Sequence, residues 1–139
     1  MRQFIDPQLI LNEQDATGVG LSFNCRDFKH IMVAVSGAAN STLTFKFQGS
    51  IGTSASSPDA PAFASAQSIT NHWDYVAAYD LQSPGSVITG DTGVSLNNDT
   101  VANNTRLYVI NTDGLSWFNI EVTSWTDGSV SAFVAGYSD

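Results

Sequence analysis

The stretch that decides the fold is 106–137, which reads RLYVINTDGLSWFNIEVTSWTDGSVSAFVAGY. In its middle part, Phe118, Ile120 and Val122 alternate with polar residues. This period of two is typical of a β-strand with one apolar face. The run 129–137 repeats the pattern. The stretch therefore predicts at least three strands, each with a face that a core must cover.

Two Thr-Asp-Gly segments, 112–114 and 126–128, separate these strands. A three-residue hairpin loop often ends in a glycine with positive φ, because glycine adopts that conformation at no steric cost. We therefore expect Gly114 and Gly128 to have positive φ. The three strands would then form an antiparallel meander with one buried face and one mixed face.

Period two continues upstream of this stretch. Apolar residues alternate within 30–36 and again within 42–48, and 36–40 is a short connection of the length that hairpins use. Charged residues make up 13% of the chain, about half the usual ~25%, which argues against solvent-facing helices. We predict an all-β fold: an antiparallel β-sandwich or jelly-roll-like domain of about seven or eight strands.

The chain divides into an N-terminal segment and one domain. Residues 1–20 are predicted to form an N-terminal arm or edge strand, whose deletion would leave the remainder folded. Residues 21–139 are predicted to form the β-sandwich domain. Within it, 49–68 contains fifteen Gly, Ser, Ala or Pro residues among twenty, which indicates a long loop.

The charge is strongly acidic and unevenly placed. The formal net charge is −8, and all of it lies within 47–139, because 1–46 has equal numbers of acids and bases. A nucleic-acid partner and an anionic membrane both require basic residues, so we expect neither. The start of the chain lacks the apolar core of a signal peptide, so we expect synthesis in a cytoplasm.

Groups that could carry catalysis are few. Cys25 is the single cysteine and is expected to be a small buried apolar residue. The two histidines, His30 and His72, have no recognisable nucleophile motif near them. The polar residues of 91–99 are of the types that turns use, although calcium also accepts such oxygens. We expect no enzyme, no catalytic residue, no cofactor and no metal site.

The C-terminal part of the chain resembles a recurrent type of small virion structural protein from tailed bacteriophages. The resemblance covers roughly residues 73–139. The residues that carry it are Gly114-Leu115, Trp117-Phe118, Val122-Thr123-Ser124-Trp125, Gly128-Ser129-Val130 and Gly136-Tyr137. It implies a non-enzymatic structural protein of a phage particle, most directly a capsid decoration or cement subunit. The implied location is the virion, after synthesis in the bacterial host.

The resemblance also implies contacts with other virion proteins, either the major capsid protein or components of the neck or tail. We expect arms and loops to make these contacts, and we expect a homo-oligomer, with a trimer as one form. The residues predicted to bind a partner are Phe4, Leu9, Ile10, Leu11, Trp117 and Trp125.

An alternative function is a tail- or fibre-associated module that binds a host glycan. Sugars stack on exposed aromatic rings, and the candidates are Trp73, Trp117 and Trp125. In a regular strand, Trp117 and Trp125 would be ~26 Å apart, so one sugar ring could not contact both.

Overall fold

The computed structural model describes residues 3–52, 73–83, 85–99 and 104–138 of the 139-residue chain. Most of the predicted loop 49–68 lies outside these residues, and so does His72. Positions 49 and 50 are the end of a strand. The described residues contain no helix that is long and apolar enough to cross a membrane.

The described residues form thirteen strands. In chain order they are β1 (Gln3–Phe4), β2 (Gln8–Gln14), β3 (Gly18–Val19), β4 (Phe23–Asn24), β5 (His30–Gly37), β6 (Ser41–Ser50), β7 (Trp73–Tyr75), β8 (Ala78–Asp80), β9 (Val87–Ile88), β10 (Val94–Asp99), β11 (Asn104–Asn111), β12 (Trp117–Asp127) and β13 (Val130–Ser138).

The strands form two antiparallel sheets. The seven-stranded sheet has the order β1-β13-β5-β11-β8-β9, with β2 also paired to β13. The six-stranded sheet has the order β10-β6-β12-β3, with β4 also paired to β12 and β7 to β6. The prediction of an all-β, antiparallel, two-sheet fold is confirmed.

The number of strands is larger than the predicted seven or eight. Seven strands have six residues or more, namely β2, β5, β6, β10, β11, β12 and β13. The other six have two or three residues each. Segments this short cannot show a period of two, so the sequence pattern does not reveal them.

One core lies between the two sheets. The alternating apolar residues of β5, β6, β12 and β13 are buried, as their period of two predicts; they are Ile31, Val33, Val35, Leu43, Phe45, Phe47, Phe118, Ile120, Val122, Val130, Ala132 and Val134. The ring of Phe47 in β6 lies 5.4 Å from the ring of Tyr108 in β11, centroid to centroid. This contact joins the two sheets across the core.

The predicted meander is wrong, because its middle strand, β12, belongs to the opposite sheet from β11 and β13. β5, β11 and β13 lie in the seven-stranded sheet, while β6 and β12 lie in the six-stranded sheet. The connections near 36–40, 112–114 and 126–128 are therefore arches between sheets and not hairpins. A hairpin and an arch both join two strands with apolar faces through a short turn, so the local pattern does not distinguish them.

The turn conformation itself was predicted correctly. Gly114 has φ of 90° and Gly128 has φ of 82°. The arches at 112–114 and 126–128 thus both end on a glycine in a conformation that glycine adopts at no steric cost.

The N-terminal segment is integrated into both sheets. β1 and β2 pair with β13, and β3 pairs with β12. Ile10 and Leu11 of β2 are 5% and 1% exposed and belong to the core. Leu21 then donates its backbone N–H to the carbonyl of Ile10, which connects the edges of the two sheets on this side.

Candidate interaction surface

The outer face of the seven-stranded sheet carries a row of apolar side chains that crosses four strands and ends at the residue after β8. Strand register places Leu9 beside Phe133, Phe133 beside Ala34, and Ala34 beside Leu107. The row ends at Leu81, whose backbone N–H donates to the carbonyl of Leu107 at 3.0 Å. Apart from Ala34, which is half-buried, these side chains are between 38% and 46% exposed.

A second apolar row lies two residues further along the strands. It runs from Ala135 through Met32 and Val109 to Tyr79 and Val87, again by direct strand register. Tyr79 is 52% exposed and Val87 is 50% exposed, and the other three are half-buried. We refer to the ten residues of the two rows as the apolar surface.

Polar rows bound the apolar surface at both ends. On one side lie Ser131, Ser36 and Thr105, and the hydroxyls of Ser36 and Thr105 are 2.7 Å apart. On the other side, His30 lies between Asn111 and Tyr137, and the rings of His30 and Tyr137 stack at 6.4 Å. An apolar centre with a polar rim is the arrangement found in protein–protein interfaces.

Most of the exposed large apolar side chains among the described residues belong to this surface. Six of the nine are in the two rows: Leu9, Tyr79, Leu81, Val87, Leu107 and Phe133. The other three are Leu21, Ile51 and Trp125. Scattered exposed apolar residues are normal on a protein surface, whereas a contiguous group marks a binding site.

A groove extends the apolar surface at its Leu9 end. The groove lies between β2 and β3, has a volume of about 380 Å³ and is lined in part by Leu9, Val19 and Leu21. Leu21 is 70% exposed. The groove is therefore open to solvent and is continuous with the first row.

The outer face of the six-stranded sheet is polar and aromatic. Glu121 is only 5% exposed, and its Oε1 accepts hydrogen bonds from the Tyr75 hydroxyl at 2.6 Å and from Gln48 Nε2 at 3.4 Å. Burial, together with the hydrogen bond to Glu121, raises the pKa of Tyr75 above its ordinary value. The Lys46 ammonium lies 4.7 Å from the centroid of the Tyr75 ring. These residues satisfy one another and thereby hold β6, β7 and β12 together.

Two solved structures have this fold. The SPBc2 prophage-derived protein YomS matches with a TM-score of 0.69 and 14% identity, over 99% of this chain and 96% of YomS. The PBSX exported protein XepA matches with a TM-score of 0.64 and 14% identity, over 99% of this chain. The chain spans 38% of the length of XepA. No family model and no curated protein sequence matches the chain.

These likenesses show the fold. YomS and this chain correspond over nearly their whole lengths, so one sandwich of this kind makes up almost all of YomS. Both neighbours are phage-derived, as the bacteriophage resemblance of the C-terminal part had led us to expect.

The residues predicted to bind a partner lie in different environments. The backbone of Phe4 is in β1, and its side chain lies outside the described part of the structure. Leu9 is part of the apolar surface. Ile10 and Leu11 pack into the core of this chain, so we leave them out of the contact surface considered below.

The three tryptophans are not grouped on one exposed face. Trp73 was expected to be exposed, but it is 2% exposed. It pairs with Ser50 at the edge of the six-stranded sheet. Trp117 pairs with the same Ser50, and Trp125 lies towards the other end of β12. Trp125 is 41% exposed, and its Nε1 donates to the carbonyl of Gly128 at 2.9 Å. Glycan binding by these residues stays a prediction.

Reasoning from the sequence missed most of the apolar surface, although a signal was present. The runs 31–35 and 107–110 are apolar at every position. When odd and even positions of a strand are both apolar, its inner and outer faces are both apolar. In β6, by contrast, polar residues alternate with the apolar ones. The runs indicate that this sheet has a second apolar face.

Candidate metal ligands do not come together in the described part of the chain. No group of three His, Cys, Asp or Glu residues there could hold a metal ion. Cys25 is fully buried, and burial raises the pKa of its thiol to about 11. At neutral pH this thiol is protonated and shielded from solvent.

Proposed function

We propose that this protein is a non-enzymatic structural protein of a phage particle, most directly a capsid decoration or cement subunit. The observation that carries the proposal is the apolar surface, found on a sandwich whose fold is shared with two phage-derived proteins. A structural subunit needs a surface that other proteins can cover, and the two rows supply one. The partners would be the major capsid protein, a neck or tail component, or further copies of this chain.

The extent of the apolar surface supports a protein contact. Its six large exposed side chains are 38–52% exposed. At roughly 200 Å² for a fully exposed large side chain, they present about 550 Å² to solvent. The largest apolar patch of a typical monomer is ~300–600 Å² and is often functional. The surface is therefore at the upper end of what an isolated chain exposes.

The acidic charge is compatible with this role. The chain has a net charge of −8, yet none of the ten residues of the apolar surface is charged. The charge keeps free copies apart in solution, and the uncharged surface allows a specific contact to form.

An add-back experiment tests the proposal. Particles that lack this chain are mixed with the purified protein, and bound protein is measured after sedimentation through a gradient. We expect saturable binding, with one fixed ratio of this chain to the major capsid protein. Binding that does not saturate, or the absence of binding to heads, necks and tails alike, would contradict the proposal.

The glycan-binding alternative is favoured by one observation, the exposure of Trp125. Its ring is held in place by the hydrogen bond to Gly128, as a stacking platform for a sugar requires. A glycan array probed with the wild-type chain and with Trp125→Ala tests it. Binding of the wild-type chain that disappears in the variant would support glycan binding through Trp125. An array without signal would exclude glycan binding for the glycans displayed.

A further inference from the structure

We propose that Asp113 is a site of spontaneous modification, at which aspartate isomerises to isoaspartate, and that the fold protects Asp127 from the same reaction. The chain has two Asp-Gly pairs, Asp113-Gly114 and Asp127-Gly128. Each ends a Thr-Asp-Gly arch, and both glycines have positive φ. The local sequence and the glycine conformation are therefore alike, so a difference in reactivity must come from the surroundings.

Isomerisation needs only the aspartate, the next backbone nitrogen and water. That nitrogen gives up its proton and attacks Cγ of the protonated carboxyl group. The N–Cγ bond forms, a C–O bond at Cγ breaks, and one water leaves. Water then adds to the main-chain carbonyl of the succinimide ring and opens it, so that the main chain continues through the side-chain carbon and is one methylene longer. A following glycine favours the attack, because it has no side chain that blocks the nitrogen.

The Asp127-Gly128 pair is held in a geometry that opposes this attack. The Gly128 N–H donates to Asp127 Oδ1 at 2.8 Å. This bond directs the proton, and not the nitrogen lone pair, towards the carboxyl group, so it must break before the ring can close. The Gly128 carbonyl accepts from Trp125 Nε1 at 2.9 Å. Both sides of Gly128 are therefore fixed by hydrogen bonds.

Buried contacts hold the same arch from the other side. The Ser129 N–H donates to the hydroxyl oxygen of Ser41 at 3.2 Å. The Ser129 carbonyl accepts from the Ser41 hydroxyl at 3.1 Å and from the Ala38 N–H at 3.0 Å. Ser41 is fully buried, and its Cα would lie 2.5 Å from a Cβ at position 128. The movement of Gly128 that ring closure requires would disturb these contacts together.

The Asp113-Gly114 pair has no such restraint. Both residues are exposed, and a Cβ at position 114 would meet no atom within 4 Å. Among the described residues, neither the N–H nor the carbonyl of Gly114 takes part in a hydrogen bond. The turn is closed by the Leu115 N–H, which donates to the Thr112 carbonyl at 2.9 Å. The Gly114 nitrogen is therefore free to turn towards the Asp113 carboxyl group.

The expected difference in rate follows from the bond that must break at Asp127. A hydrogen bond to a charged group has a net strength that corresponds to a slowing of about tenfold or more. The contacts with Ser41 and Trp125 add to this slowing, because an arch reacts only while it is locally open. We expect isoaspartate to form at least about tenfold faster at Asp113 than at Asp127 in the native chain.

Peptide mapping of the full chain, incubated at neutral pH over several weeks, tests the proposal. Chymotrypsin cleaves after Trp117 and Phe118, which lie between the two sites and so separate them into different peptides. Mass spectrometry with electron-transfer fragmentation distinguishes aspartate from isoaspartate in each peptide. The same incubation in urea is the control. There we expect similar rates at Asp113 and Asp127, because the two sites have nearly the same sequence.

Two variants test whether the described contacts provide the protection. Ser41→Ala removes the hydroxyl that holds Ser129, and Trp125→Phe removes the indole N–H that holds the Gly128 carbonyl. Each should raise the rate at Asp127 and leave the rate at Asp113 unchanged. Circular dichroism confirms that a variant is folded, and the second variant serves if the first does not fold. Asp113→Glu should remove most of the isoaspartate that forms in the native chain.

Three outcomes would overturn the proposal. The first is a native rate at Asp127 that equals or exceeds the rate at Asp113. The second is an Asp113 that stays unmodified in the native chain although it reacts in urea. The third is a folded variant, Ser41→Ala or Trp125→Phe, in which the rate at Asp127 is the same as in wild type. None of these outcomes depends on binding to particles, so the proposed function is tested separately.

Discussion

Two glycines with almost the same φ differ sharply in their surroundings, and this difference makes a quantitative prediction. Gly114 has φ of 90°, and a Cβ added to it would meet no atom within 4 Å. Gly128 has φ of 82°, and its Cβ would lie 2.5 Å from the Cα of Ser41 and would also collide with the Ser41 hydroxyl. Alanine at position 114 is therefore strained only by the backbone, whereas alanine at position 128 also collides with β6.

The magnitudes follow from these two effects. An L-residue with positive φ costs ~1–2 kcal/mol, and this cost is common to both positions. A Cβ placed against backbone atoms that cannot rotate away adds ~1–3 kcal/mol at position 128. Ser41 would be displaced, and its hydroxyl bond to the Ala38 carbonyl, 2.6 Å long, would be strained. We expect Gly114→Ala to lower the free energy of unfolding by about 1–2 kcal/mol and Gly128→Ala by about 2–5 kcal/mol.

Equilibrium unfolding in urea, followed by tryptophan fluorescence, measures both variants against wild type. The slope of the free energy against urea should be unchanged, so the midpoints report the difference directly. The Gly114 variant is the matched control, because it has the same new methyl group and nearly the same φ. Equal losses of unfolding free energy at the two positions would refute the argument that the packing of Ser41 against Gly128 fixes the arch at 126–128.

Three further predictions concern burial. Burial raises the pKa of Tyr108 from 10.0 to about 12, so the folded state keeps this proton in a range where the unfolded state loses it. Tyr108 by itself should then lower the free energy of unfolding by about 1.4 kcal/mol per pH unit between pH 10 and 12 in urea titrations. The fall should be less steep by this amount in Tyr108→Phe, and a Tyr108→Phe slope equal to wild type would contradict this. Ellman's reagent at pH 8 should leave Cys25 unmodified in the native chain and modify one thiol per chain in urea; rapid native labelling would show that the thiol is accessible. Deletion of 1–20 should unfold the chain, because it removes β2 and its two core side chains, Ile10 and Leu11. Circular dichroism measures this. A truncated chain that stays folded would show that the segment is the dispensable arm predicted from the sequence.

The alternation of apolar and polar residues predicted which strand faces are buried, because a period of two assigns side chains to faces without reference to the rest of the chain. Phe45 and Ile120 lie in the core for this reason. The same local pattern cannot assign a strand to a sheet. The turn before Leu115 satisfies the chemistry of a hairpin, yet the strand that follows belongs to the opposite sheet. Pairing is decided by long-range packing that a short window does not contain.

The candidate surface was harder to predict than the core. The alternation in β13 places Phe133 on the non-core face of its strand, but its neighbours across the sheet come from β2 and β5, which are far away in sequence. Glu121 shows the converse difficulty. Its position between the inward-facing Ile120 and Val122 predicts a side chain exposed to solvent. Glu121 is nevertheless buried, and it hydrogen-bonds with Tyr75 and Gln48 from distant parts of the chain. A surface or a polar cluster assembled from separate strands becomes visible only once the register is known.

Cryo-electron microscopy of purified phage particles that encode this chain tests the central claim most directly. The account predicts ordered density for the two-sheet sandwich at a fixed, symmetric position on the head, neck or tail. At that position the apolar surface should be covered by protein. Particles whose ordered shells and tails are fully accounted for by other proteins would contradict it.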